Sequence, residues 1–193
     1  MRLFLASKSE ARRRMLERAG VPFELVDVPS DEEGAKRDLA GLDARAVAER
    51  LAELKAGAAR AGGLVLGADQ TLELDDGTIL GKPRDREDLA AQLRRMRGRT
   101  HRLHSAAAIV EDGATAWRAY ESVALTVRRF SDDFLARYIE AEYAAVRWNA
   151  GGYRIEGPGV QFFERVEGSY FAILGLPLLP LLDYLRSRGL VAT

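Results

Sequence analysis

Apolar positions along the chain fall into two patterns. Unbroken runs, LFLA (3–6) and LVLGAD (64–69), predict strands buried on both faces. Elsewhere apolar residues recur at three- and four-residue spacing, the mark of amphipathic helices. EARRRMLERAG predicts a helix with Ser9 as N-cap and Gly20 as its stop. PFELVDV (22–28) predicts a second strand, followed by the polar stretch SDEEGAKRDLAGLD. DARAVAERLAELKAGAARA carries the clearest helical stripe, with Asp43 as cap and Val47, Leu51, Leu54 and Ala58 on one face. TLEL and TIL flank the turn signal DDG (75–77) and predict a hairpin leading into Gly-Lys-Pro.

DREDLAAQLRRMRG (85–98) and SDDFLARYIEAE (131–142) predict further helices, capped by Asp85 and Ser131. THRLHSAAAIVEDG and WRAYESVALTVRRF between them predict strands. WNAGGYRIEGPG is a glycine-rich connector or pocket wall, VQFFERVEGSYFAILGLP predicts a hairpin turning at Glu-Gly, and PLLDYLRSRGL predicts a closing helix with Pro180 near its start. Strands alternating with helices predict an α/β fold. A length of 193 residues fits one large domain or two small lobes.

Composition narrows the chemistry. Lys plus Arg and Asp plus Glu both total 29, and zero net charge argues against a nucleic-acid binder held by bulk electrostatics. The absence of cysteine removes disulfides, thiolate-bound zinc and thiol catalysis. The start, MRLFLASKSEARRR, lacks the apolar core of a signal peptide, and no segment reaches the apolar length of a membrane span. A cytoplasmic, enzyme-like domain is the expectation.

Candidate chemistry gathers at predicted strand ends. Asp69 closes the apolar run 64–69, where ligands collect in open α/β sheets, and suits a base or metal ligand. Lys82 sits between Gly81 and Pro83 and returns near Asp69 if the hairpin folds back. Arg12 and Arg13 fall in the first turns of a helix, whose positive end favours anions. With Ser7, Ser9 and the first-turn N–H groups they form either a phosphate cradle or a solvated cationic face. Lys55, at the edge of its helix's apolar stripe, either snorkels over apolar surface or points into a cleft. Asp31, Glu32 and Glu33 are solvated charge or oxygen ligands for a hard cation. His101 and His104, three residues apart on a predicted strand, face opposite sides and do not make a histidine metal site.

Taken in order, LASKSEARRRML, GADQ, LGKP, LRRMRGRTH, AGGYRIEG and ILGLPL resemble the Maf family of nucleoside triphosphate pyrophosphatases, also called septum formation inhibitor Maf proteins. The resemblance runs from about Leu3 to Leu185. It implies an elongated, mixed-sheet Maf/inosine-triphosphatase-like α/β fold with two lobes flanking a central cleft, one such domain over residues 1–193, and a homodimer. With zero net charge and no span-length apolar segment, no nucleic-acid or membrane partner is expected. The implied reaction is house-cleaning hydrolysis of a nucleoside triphosphate to monophosphate and pyrophosphate with Mg²⁺ or Mn²⁺. By that resemblance Asp69 is proton acceptor and metal ligand, and Lys82 joins it in catalysis. Ser7, Ser9, Arg12, Arg13, Lys55 and Lys82 hold the triphosphate, and Glu32 or Glu33 supplies a second metal ligand. Gln70 and Glu156 occupy positions tied to base preference, and match the 7-methyl-GTP subgroup better than the dTTP/UTP subgroup, which has Thr after the Asp and IQG for IEG. A dTTP/UTP enzyme, or a nucleotide-sensing protein linked to cell-division arrest, are the alternatives. Two departures from the family pattern are Glu10 in place of proline and WNAGG in place of an acidic residue before AG.

Overall fold

Strand and helix alternate as the apolar pattern predicts. The computed structural model describes residues 1–27, 39, 41–59 and 61–192. Seven strands form a mixed sheet: β1 (Leu3–Ala6), β2 (Glu24–Leu25), β3 (Leu64–Glu73), β4 (Ile79–Leu80), β5 (Thr100–Glu111), β6 (Ala114–Val127) and β7 (Phe163–Glu167). Their order is β2-β1-β3-β5-β6-β7, with β4 paired to β3. Among the described residues six α-helices accompany them: α1 (Glu10–Arg18), α2 (Ala44–Ala58), α3 (Arg86–Met96), α4 (Asp132–Val146), α5 (Tyr170–Ile173) and α6 (Leu178–Ser187). The chain divides into two compact units.

The first unit takes in Met1–Gln70, His104–Glu121 and Ser169–Thr193. Its β1 pairs in parallel with β2, Leu5 opposite Leu25, and with β3, Ala6 opposite Gly67. Alternation then sorts the side chains by face. Leu3, Leu5, Leu64, Leu66 and Ile109 pack with Leu16 of α1 and Leu181 and Leu185 of α6. Phe4, Ala6 and Val65 pack with Ala56 of α2, and Ala106 and Ala108 meet Ala48 and Ala52 of the same helix. Burial on both faces explains why these strands read as unbroken apolar runs.

The second unit takes in Thr71–Leu103 and Ser122–Gly168. The expected hairpin is present: Leu72 opposes Leu80 and Glu73 opposes Ile79, around Gly77 at φ 79°. Phe162 is fully buried, with the rings of Phe130, Phe134 and Tyr138 set edge-on around it at 4.6–5.2 Å. Helices α3 and α4 pack together.

The sequence-based expectation fails over VQFFERVEGSYFAILGLP. β7 makes no hairpin with the residues after it; it pairs antiparallel with β6, Leu125 opposite Val166. Gly168, at φ 132°, then turns the chain into α5. Its missing side chain matters, because a Cβ there would lie 3.0 Å from the Ser122 carbonyl. The second strand is also shorter than PFELVDV implies, confined to Glu24–Leu25; Val28 lies outside the described residues.

Candidate active site

The site begins with a glycine. Gly67 on β3 faces α2 so closely that a Cβ would lie 2.2 Å from the Ala52 carbonyl oxygen and 2.5 Å from the Ala56 nitrogen. Only glycine permits that approach, and it brings the last turn of α2 against the middle of β3. Asp69 is two residues further along and on the same face of the strand. Lys55 of α2 therefore reaches it, Nζ to Oδ1 2.8 Å, with the two side chains 15% and 13% exposed. Of the two readings for Lys55, the inward-pointing one holds. A half-desolvated ion pair of this geometry orients the carboxylate more firmly than a surface pair would.

Ser7 follows β1 directly and so lies at the same end of the parallel strands as Asp69. Ser9 caps α1, its hydroxyl accepting from the Arg12 N–H at 3.4 Å. Ser7 Oγ accepts from the Ser9 N–H at 3.2 Å and from Arg12 Nη1 at 3.3 Å. Arg12 is only 8% exposed, and its Nε donates to the Gly175 carbonyl at 2.7 Å. Arg13 is more open and faces two carboxylates of its own helix, Glu10 at 3.9 Å and Glu17 at 3.6 Å. A cleft of about 640 Å³ opens here, lined by Ser7, Lys8, Ser9, Glu10, Arg13 and Asp27 among others. Lys8 and Asp27 had escaped the motif reading, while Glu10 is the residue that departs from the family's proline. Asp27 lies just beyond β2, whereas β3 does not stop at Asp69 as the apolar run predicts but continues through Thr71 and Leu72 to Glu73.

Gln70 turns to the opposite face from Asp69, its amide nitrogen donating to the carbonyls of Ala172 at 2.7 Å and Ile173 at 3.2 Å. The first unit thus brings together Asp69, Lys55, Gln70, Ser7, Ser9, Arg12 and Arg13. Lys82 and Glu156 are exposed residues of the second unit, Lys82 just after β4 and Glu156 in the turn before the 3-10 segment 158–162. Glu32 and Glu33 lie outside the described residues. The histidines make no common site. His101 Nε2 is 2.7 Å from Tyr153 Oη, and His104 Nδ1 is 2.7 Å from Tyr120 Oη. Burial lowers His101 to a pKa of about 4 and raises that of Tyr153.

Among the described residues, no group of three or more His, Cys, Asp or Glu side chains could enclose a metal ion. Asp69 offers one hard carboxylate whose Oδ1 is already oriented by Lys55. That fits a cation such as Mg²⁺, which keeps most of its waters and takes one or two carboxylates plus substrate phosphates.

One unit of this α/β protein thus holds an oriented carboxylate on β3 and a serine-capped helix start with two arginines. Comparison with known proteins agrees: the Maf-like protein family model matches residues 2–188, and the chain belongs to the Maf family. Its relatives include proteins named nucleoside triphosphate pyrophosphatase from Sphingopyxis alaskensis, 49% identical over 98% of both chains, and from Caulobacter vibrioides, 48% identical over 96% of this chain and 94% of the other. A third, nucleoside triphosphate pyrophosphatase 1 of a Jannaschia species, is 45% identical over 99% of this chain and 98% of its own.

Proposed function

We infer that this protein hydrolyses nucleoside triphosphates to the monophosphate and pyrophosphate. The Asp69–Lys55 pair carries the reading: an oriented carboxylate on β3, two residues past the segment that pairs in parallel with β1, in a unit that also holds the Ser7–Arg13 turn. Near-full-length identity to relatives bearing the pyrophosphatase name supports it. Asp69 accepts a proton from water as its oxygen bonds to the α-phosphorus; the bond to the bridging oxygen breaks and pyrophosphate leaves. Lys55 keeps Asp69 aimed at that water. Ser7, Ser9 and the first-turn N–H groups of α1 receive phosphate oxygens, and Arg12, Arg13 and Lys82 balance their charge. Asp69, with Glu32 or Glu33, would hold Mg²⁺ or Mn²⁺. When bound, such a cation supplies positive charge to the phosphate oxygens.

Gln70 and Glu156 favour 7-methyl-GTP over dTTP or UTP as the substrate, on the match of GADQ and RIEG to that subgroup. The test is pyrophosphate and monophosphate release by the purified protein with Mg²⁺ or Mn²⁺, across 7-methyl-GTP, GTP, dTTP, UTP and CTP. Fastest release from 7-methyl-GTP is expected. A preference for dTTP or UTP would keep the reaction and reverse the base assignment, while orthophosphate as the first product would remove the reaction itself. The homodimer expected of the family is checked by light scattering, which should give twice the mass of one chain.

A further inference from the structure

Gln70 stands next to Asp69 in sequence, yet its side chain is engaged on the other face of β3. Both of its amide partners, the carbonyls of Ala172 and Ile173, are acceptors, so the NH₂ group must face them. The two bonds fasten the end of α5. Two residues on, Gly175 adopts φ 95° and gives its carbonyl to Arg12 Nε at 2.7 Å. A Cβ at 175 would lie 3.0 Å from the Arg12 guanidinium, so the turn and the arginine are fitted to each other. Arg12 Nη1 in turn donates to Ser7 Oγ.

The hydroxyl of Ser7 has two acceptor lone pairs and one proton. The Ser9 N–H at 3.2 Å and Arg12 at 3.3 Å occupy the acceptor sites. The proton is therefore left to donate, and Ser7 lines the cleft beside Ser9 and Arg13. A hydroxyl committed to donating is suited to an anion and poorly suited to a cation. The sequence of contacts runs from Gln70 to the 172–175 turn, to Arg12, to Ser7, entirely within the first unit.

The geometry points to Gln70 as a positioning residue for the triphosphate end of the ligand, acting through the Gly175 carbonyl and Arg12 on the donor hydroxyl of Ser7. This rests on the pyrophosphatase reading and deepens it, because Gln70 then bears on phosphate binding whichever base the ligand carries.

Inorganic tripolyphosphate, which has no base, separates the two roles. Its binding to the full chain is measured by calorimetry for the wild type, Gln70→Met, Ser7→Ala and the double variant, alongside pyrophosphate release from the nucleotide panel. Each single substitution should weaken tripolyphosphate about tenfold, the scale of one hydrogen bond to a charged group. The double variant should lose little more than the weaker single, because both act on one contact. Gln70→Met should also raise KM for every base, over and above any change in base preference. Unchanged tripolyphosphate affinity in Gln70→Met overturns the assignment, whatever happens to base preference. So do losses that multiply to about a hundredfold in the double variant. Gln70→Glu, equal in length and without the donor, carries the test if the methionine variant does not fold. A wild type that binds tripolyphosphate but releases no pyrophosphate would remove the proposed reaction and leave the positioning role measurable. A wild type that releases pyrophosphate without binding tripolyphosphate would remove the positioning role alone.

Discussion

Asp69 and Lys55 are two ordinary side chains that acquire a use from their distance. With Nζ at 2.8 Å, the carboxylate has one oxygen fixed and the other available to water or a cation. Asp69→Asn keeps the shape and removes the base, so pyrophosphate release should fall at least a hundredfold, roughly the contribution of a positioned general base. Nucleotide binding, followed by calorimetry, should be largely retained, and undiminished turnover would take Asp69 out of the chemistry. Lys82→Ala should raise KM or lower kcat for the triphosphate; identical kinetic constants would exclude Lys82 from the site. His101 acts on stability. Buried against Tyr153 and Phe163, it has its pKa lowered from 6.5 to about 4, so the unfolded chain takes up a proton that the folded one refuses. Stability is complete above about pH 6.5 and falls as pH drops towards 4, by about 3 kcal/mol in all. Urea unfolding at pH 7 and pH 4.5 should show that loss in the wild type and a smaller one in His101→Gln; equal losses would assign the acid sensitivity elsewhere.

Helix α2 and strand β3 show how much of this can be read from a sequence. The caps Ser9, Asp43, Asp85 and Ser131 were legible because each accepts a hydrogen bond from a backbone N–H three residues ahead, a purely local arrangement. The start of β3 was legible as an apolar run, but its end was not: the strand continues past Asp69 to Glu73, where the sequence reading stopped it at the carboxylate. The Lys55–Asp69 pair was not, because it depends on how closely two elements approach, and that depends on a side chain Gly67 does not have. β7 was misread for a similar reason: its partner strand lies some forty residues earlier, and nothing local records the choice. Gly67→Ala tests the packing directly. Its Cβ would meet backbone atoms of α2 that have nowhere to rotate, so overpacking should cost about 1–3 kcal/mol in denaturant unfolding. The shift of α2 should also pull Lys55 from Asp69 and lower turnover in the population that remains folded. Full activity in a destabilised variant would show that the pair tolerates the shift.

The chain as a whole passes between its two units four times, after Gln70, Leu103, Glu121 and Gly168. Neither unit is a continuous piece of sequence, so no simple truncation isolates one. The last segment completes the first unit: Leu176, Leu181 and Leu185 fill its core, and Ala172, Ile173 and Gly175 receive Gln70 and Arg12. A chain ending at Gly168 still contains every motif from LASKSE to RIEG. It should nonetheless bind no tripolyphosphate in calorimetry and show no cooperative unfolding of the first unit by circular dichroism; binding like the full chain would make the final segment dispensable. The same connectivity sets a clock on biosynthesis. Arg12 is made 163 residues before the carbonyl that receives it. At roughly 5–20 residues per second, the growing chain carries that guanidinium for about 8–30 s before its acceptor exists. A ribosome that stops early therefore releases a protein with its Ser7–Arg13 turn written but unlocked, a client for chaperones and proteases.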